Sequence, residues 1–177
     1  MSTLVLLLRG INLGPRNRIS MPELREALAE AGFEDVRTYV QSGNVVLSAE
    51  GGPDEVARET EGVIARRFGV EVSVLARTRD ELAKVIDRNP LAKAAAREPK
   101  RCQVTFLSAE LDRDAQDAIE AAAAGKEQVV FSGREVYAWH PTGIGRSKLA
   151  ELLGRKTVGG TARNWSTVTK LLELADE

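Results

Sequence analysis

The residues best suited to chemistry cluster near the two ends of the chain. Near the start, Leu7-Leu8-Arg9-Gly10-Ile11-Asn12 runs from aliphatic side chains straight into a cation, a glycine and an amide. Near the finish stand Gly143-Ile144-Gly145-Arg146-Ser147-Lys148 and Thr161-Ala162-Arg163-Asn164-Trp165. Each combines a turn or a helix start with cations and amides and carries almost no carboxylate, which is a donor set for holding an anion. In that reading Arg9, Arg146, Lys148 and Arg163 supply charge, and Asn12, Ser42, Asn44 and Ser147 orient the guest. Asn164, placed to cap a following helix, completes the set.

Other chemistries fit less well. The glycine-rich run at 143–148 lacks the spacing of a Walker A loop, and a turn capped by Ser147 explains it equally. Ser147 and Lys148 are neighbours on a helix and point about 100° apart, so they do not make a serine-lysine pair. One cysteine, Cys102, and one histidine, His140, leave no set of zinc-like ligands, so no metal and no cofactor is expected. Cys102 opens a strand and reads as a small buried side chain, whereas His140 closes a strand just before Pro141. The remaining enzyme route is a metal-independent reaction of a phosphoryl or acyl group, stabilised by Arg and Lys with Tyr39 or Tyr137 as proton donor. Binding without reaction uses the same residues with fewer assumptions, and the pattern leaves open which applies.

These groups need elements to place them. Thr3 to Arg9 reads as a strand buried on both faces, so Arg9 and Asn12 emerge from its carboxyl end into a loop. Ser20-Met21-Pro22-Glu23 has capping-box spacing, and Leu24, Ala27, Leu28 and Ala31 continue at helical period to Gly32. Asp35 to Val40 and Asn44 to Ser48 form a hairpin about Ser42-Gly43, whose own turn chemistry accounts for Ser42 and Asn44 as well as a ligand would. A helix from Gly52 to Phe68 and a strand from Val70 to Ala76 finish a βαββαβ order. Thr78-Arg79-Asp80-Glu81 starts another helix, and residues 90–101 read as a linker. A second βαββ series follows through 102–107, 112–124, 127–131 and 135–140. Two helices, near Arg146 to Leu153 and Trp165 to Ala175, then replace a closing strand. The class is α+β, with two ferredoxin-like units (βαββαβ-type) of antiparallel sheet plus C-terminal helices. The predicted division is 1–77, a helix and linker at 78–101, and 102–177.

Charge is unevenly spread. Residues 1–18 hold Arg9, Arg16 and Arg18 with no acid, and residues 142–170 hold Arg146, Lys148, Arg155, Lys156, Arg163 and Lys170 against Glu151. These segments carry +3 and +5, so with a net charge of −1 for 177 residues the remainder carries −9. Basic patches on an acidic body favour an anionic small molecule over broad coating of nucleic acid. Nucleic-acid binding is kept as the second reading, although only 5% of residues are aromatic. No run approaches the roughly 18 apolar residues of a membrane helix, and the start lacks a secretory leader, so a cytoplasmic protein with no membrane partner is expected.

Five segments together resemble the bacterial family known as domain of unknown function 1697. They are LLRGIN at 7–12, MPELREAL at 21–28, VRTYVQSGNVV at 36–46, GIGRSKL at 143–149 and TARNWSTVTKL at 161–171. The resemblance implies paired ferredoxin-like units. It brings no activity, cofactor or catalytic residue, so it adds weight to the nine residues above without assigning a role to any. Pro15-Arg16-Asn17 departs from the more glycine-rich loop of that family.

Overall fold

The computed structural model describes residues 1–155 and 158–177. Lys156, one of the six cations of the C-terminal segment, lies outside the described residues. The fold is mixed α/β, with two four-stranded antiparallel sheets and helices. Two compact units carry the sheets, one made of Met1–Lys84 with Leu171–Glu177 and the other of Val85–Lys170.

The first unit runs β1 (Ser2–Leu8), α1 (Met21–Glu30), β2 (Glu34–Tyr39), β3 (Asn44–Ala49), α2 (Pro53–Phe68) and β4 (Val74–Thr78), with sheet order β2-β3-β1-β4. The aliphatic run is therefore a central strand, paired antiparallel to β3 on one side and β4 on the other. Because side chains alternate across a strand, Leu4, Leu6 and Leu8 face α1 and α2. There they join Leu24, Leu28, Val56 and Ile64 in one apolar core. Val5 and Leu7 face the opposite side and are buried too. Ser20 caps α1, its hydroxyl accepting from the Glu23 amide, and Gly69 ends α2 at φ 69°. The fourth strand begins at Val74, four residues later than predicted, since 70–73 does not pair with β1.

The second unit opens in α3 (Arg79–Asp87), continues through α4 (Ala92–Arg97), β5 (Cys102–Leu107), α5 (Arg113–Ala122), β6 (Gln128–Ser132) and β7 (Glu135–Trp139), then α6 (Lys148–Leu153), β8 (Gly160–Asn164) and the start of α7 (Trp165–Ala175). Residues 90–101 are not the plain linker expected, because α4 forms within them and buries Ala94 and Ala95 against Cys102. A closing strand exists after all: β8 pairs antiparallel with β5, and the order is β6-β7-β5-β8. Thus the first strand of each unit is central and the last is its outer neighbour.

The likeness extends to side chains. Ala76-Arg77-Thr78 ends β4 and Ala162-Arg163-Asn164 ends β8. In each, the buried guanidinium donates to the carbonyl of the preceding alanine, at 3.0 Å from Arg77 and 2.9 Å from Arg163. The next residue then caps a helix. Thr78 and Glu81 form a reciprocal capping box at 3.0 and 3.1 Å, and Asn164 accepts from the Thr167 amide at 2.9 Å.

Candidate functional site

In the first unit the loop after β1 folds onto the hairpin tip. Asn12 adopts φ 54°, a left-handed conformation that asparagine tolerates. Its amide donates to the Ile19 carbonyl at 3.0 Å and to the Gln41 carbonyl at 2.7 Å, while its oxygen accepts from the Ile19 amide at 2.9 Å. Asn44, fully buried, donates to the Tyr39 carbonyl at 2.9 Å and to the Ser42 hydroxyl at 3.1 Å. Gly43 closes the seam: its carbonyl accepts from the Leu8 amide, and at φ 91° a Cβ would sit 2.8 Å from Leu8 Cβ. The Arg9 amide donates to the Ser73 carbonyl, and Arg18 bonds back to the Gly14 carbonyl. The structure therefore gathers Asn12, Ser42 and Asn44, but the two carboxamides are engaged in holding loop to hairpin.

In the second unit a cleft of about 580 Å³ opens over the segment between β7 and α6. Gln103, Arg146, Ser147, Lys148, Glu151 and Ala162 line it. Gly143, at φ 101°, turns the chain into a 3-10 turn at Ile144–Arg146 that exposes Arg146 and Lys148 on either side of buried Ser147. Ser147 caps α6, its hydroxyl oxygen accepting from the Ala150 amide at 3.0 Å. That amide is thus already taken, and α6 spans only six residues, so charge in the cleft comes from side chains and not from a helix terminus.

Beneath the cleft lies a polar cluster that the linear pattern does not reveal. His140 is fully buried; its Nδ1 is 2.7 Å from Glu127 Oε2 and its Nε2 is 3.0 Å from Gln103 Oε1. Ser147 donates to the same Glu127 oxygen at 2.5 Å, and the Ala124 amide donates to Oε1 at 3.0 Å. Burial, the largest single influence on Glu127, opposes its ionisation. The hydrogen bonds from Ser147, His140 and Ala124, with the attraction of His140, outweigh it and hold the carboxyl below its ordinary value. The poverty of carboxylates read along the chain does not survive folding, since Glu127 lies under this segment and Glu151 lines the cleft. Serine, histidine and acid here do not make a nucleophilic triad. Both Ser147 and Glu127 approach Nδ1, whereas a triad needs them at opposite ring nitrogens.

Arg163 lies elsewhere in this unit. Ala162 lines the cleft, so its neighbour in β8 points through the opposite face of the sheet. There Arg163 bonds Thr161 Oγ1 at 2.6 Å, and burial pushes its pKa down to about 10. Tyr137 shares that face through its common partner Val104; it donates to the Val85 carbonyl at 2.7 Å, and burial with the Glu135 charge pushes it up to about 12. It cannot serve as a proton donor in the cleft. Asn164 acts as the α7 cap. Burial and then the Glu98 charge push the Cys102 thiol up to about 11, which makes it inert. Among the described residues no group of three or more His, Cys, Asp or Glu could hold a metal ion, and no helix is long and apolar enough to cross a membrane.

A family model described as protein of unknown function (DUF1697) matches residues 1–137. Among solved structures the chain is similar to a conserved bacterial protein, SP0830 from Streptococcus pneumoniae. Identity is 23%, the alignment covers 98% of each chain, and the TM-score is 0.79. That likeness is one of fold alone. The curated proteins contain no match.

Proposed function

The chain belongs to the DUF1697 family of proteins of unknown function, so we propose a role from its own geometry: binding of a phosphorylated or carboxylated small molecule in the cleft of the second unit. The observation that carries this reading is the exposure of Arg146 and Lys148 on the wall of a cleft of about 580 Å³. That volume is in the range that encloses a metabolite. Gln103 adds a neutral amide, and Glu151 gives the wall one acidic side, favouring a guest with a localised anionic end. Arg9, Asn12, Ser42 and Asn44 on the first unit, and Arg163 and Asn164 on the second, serve their loops, strands and caps in this reading. The two units are taken as ferredoxin-like, in agreement with their common sheet order, and the protein as cytoplasmic.

The test is a thermal-shift screen of phosphorylated and carboxylated metabolites against the wild type and Arg146→Ala/Lys148→Ala. A true ligand at a hundredfold excess over Kd stabilises by about 2.7 kcal/mol, and the double variant, altered only at exposed side chains, loses that shift while keeping its unliganded Tm. Silence across the panel, or equal shifts in both proteins, overturns the proposal.

A further inference from the structure

We propose that Glu127 and His140 are positioning residues that set the hydrogen-bond polarity of Gln103, so that the cleft presents an amide N–H₂ to an anion when His140 is doubly protonated and a carbonyl when it is singly protonated. This rests on the reading of the cleft as an anion site.

The argument follows the protons. An ionised Glu127 has none to give, so both contacts to its Oε2 must be donated: by the Ser147 hydroxyl at 2.5 Å and by Nδ1–H of His140 at 2.7 Å. Nδ1 therefore carries a proton wherever Glu127 is ionised, and only Nε2 is free to gain or lose one. Nε2 faces Gln103 Oε1 at 3.0 Å, and a carbonyl oxygen there requires Nε2–H. That is the doubly protonated ring beside its carboxylate, with the amide nitrogen of Gln103 turned away from the ring. When Nε2 loses its proton it becomes an acceptor, and Gln103 must rotate its amide by half a turn to donate to it, which sends the oxygen the other way. Gln103 also lines the cleft, so this half-turn exchanges a donor for an acceptor on the cleft wall.

The charged groups around the ring support the coupling. Glu127, from the turn before β6, is in direct contact, and the neutral Ser147 hydroxyl, between the 3-10 turn and α6, lies 3.0 Å from Nδ1. The backbone amide of His140 donates to the Arg101 carbonyl, and the Arg101 guanidinium is held on Pro141 O at 2.6 Å and Glu98 at 3.1 Å. Arg146, Lys148 and Glu151 line the same cleft as Gln103 and Ser147. Proton binding at Nε2 and anion binding in the cleft thus share Gln103, and linkage makes the effect reciprocal.

His140 is the only histidine in the 177 residues, so nitrogen-15 NMR reads its tautomer without ambiguity. The full chain is titrated between about pH 5 and 8, with and without sulfate, which does not itself titrate in that range. The expected result is Nδ1–H throughout, titration at Nε2, Gln103 side-chain amide resonances that move with it, and a midpoint raised by sulfate. Sulfate affinity then falls by up to about tenfold per pH unit above the midpoint. Gln103→Leu abolishes that pH slope while leaving the His140 tautomer unchanged. A bare Nδ1, Gln103 resonances indifferent to pH, or sulfate binding with no pH slope in the wild type would each overturn the inference. If sulfate does not bind at all, the anion site fails, whereas the His140 and Gln103 titrations still decide the relay by themselves.

Discussion

Asn12→Ala separates a structural staple from a ligand contact. The substitution removes two donated bonds and one accepted bond, and it leaves an alanine at φ 54°. The Gln41 carbonyl is exposed and turns to water at little cost. The carbonyl and amide of Ile19 are different, because that residue is 2% exposed and water reaches it poorly. Two such bonds at about 1 kcal/mol each, with about 1 kcal/mol for alanine in a left-handed conformation, make roughly 3 kcal/mol. For a chain of this length that corresponds to a fall in Tm of about 6–12 °C. Asn12→Gly relieves the backbone but not the lost bonds and should recover about 1 kcal/mol of it. Urea unfolding supplies the energies, and hydrogen exchange at the Ile19 amide, which loses its acceptor, supplies the location. If Asn12→Ala changes stability by less than about 0.5 kcal/mol, as expected of a surface position, Asn12 is no staple and the residue returns to the ligand set.

Gly43→Ala and Gly160→Ala should each destabilise by about 1–3 kcal/mol through overpacking, the first more because its φ is 91°. The second would bring a Cβ to 2.7 Å from the Phe106 carbonyl; chemical denaturation of both variants measures it. Because the folded Glu127 carboxyl lies below its ordinary value, the unfolded chain takes up that proton first as pH falls. Its contribution to stability is therefore complete above the unfolded pKa of about 4.3 and is lost as pH drops through the folded value; Glu127→Gln should flatten this acid limb in urea titrations run across it. Cys102, with its thiol at about 11, should resist iodoacetamide in the native protein at about pH 8 and react fully after denaturation. Rapid alkylation of the folded chain would contradict its burial.

Several elements can be read directly because their signals are local. Ser20, Thr78 with Glu81, Ser147 and Asn164 all occupy the caps expected of them, since a cap depends on residues three positions away. β8 escapes the same reading. Its Gly160-Thr161-Ala162-Arg163-Asn164 lacks an apolar alternation, and what makes it a strand is pairing with β5 and the close approach of Gly160 to Phe106. α4 is hidden for a similar reason, being short and flanked by Pro90 and Pro99, with its alanines in a cluster completed by the remote Trp139 and Trp165.

The amino-acid sequence by itself determined the family, the βαββ order in each half, the caps, and which cations the chain carries near its two ends. Tertiary structure decided which of those cations share a cleft. Strand alternation turned Arg163 through the far face while Ala162 stayed with Arg146 and Lys148. It also brought Glu127 to His140 and Ser147, 13 and 20 positions away along the chain. Caps and periods are set by neighbours within a turn of backbone, whereas the polarity of a site is set by sheet pairing and burial, which join residues that no local pattern connects.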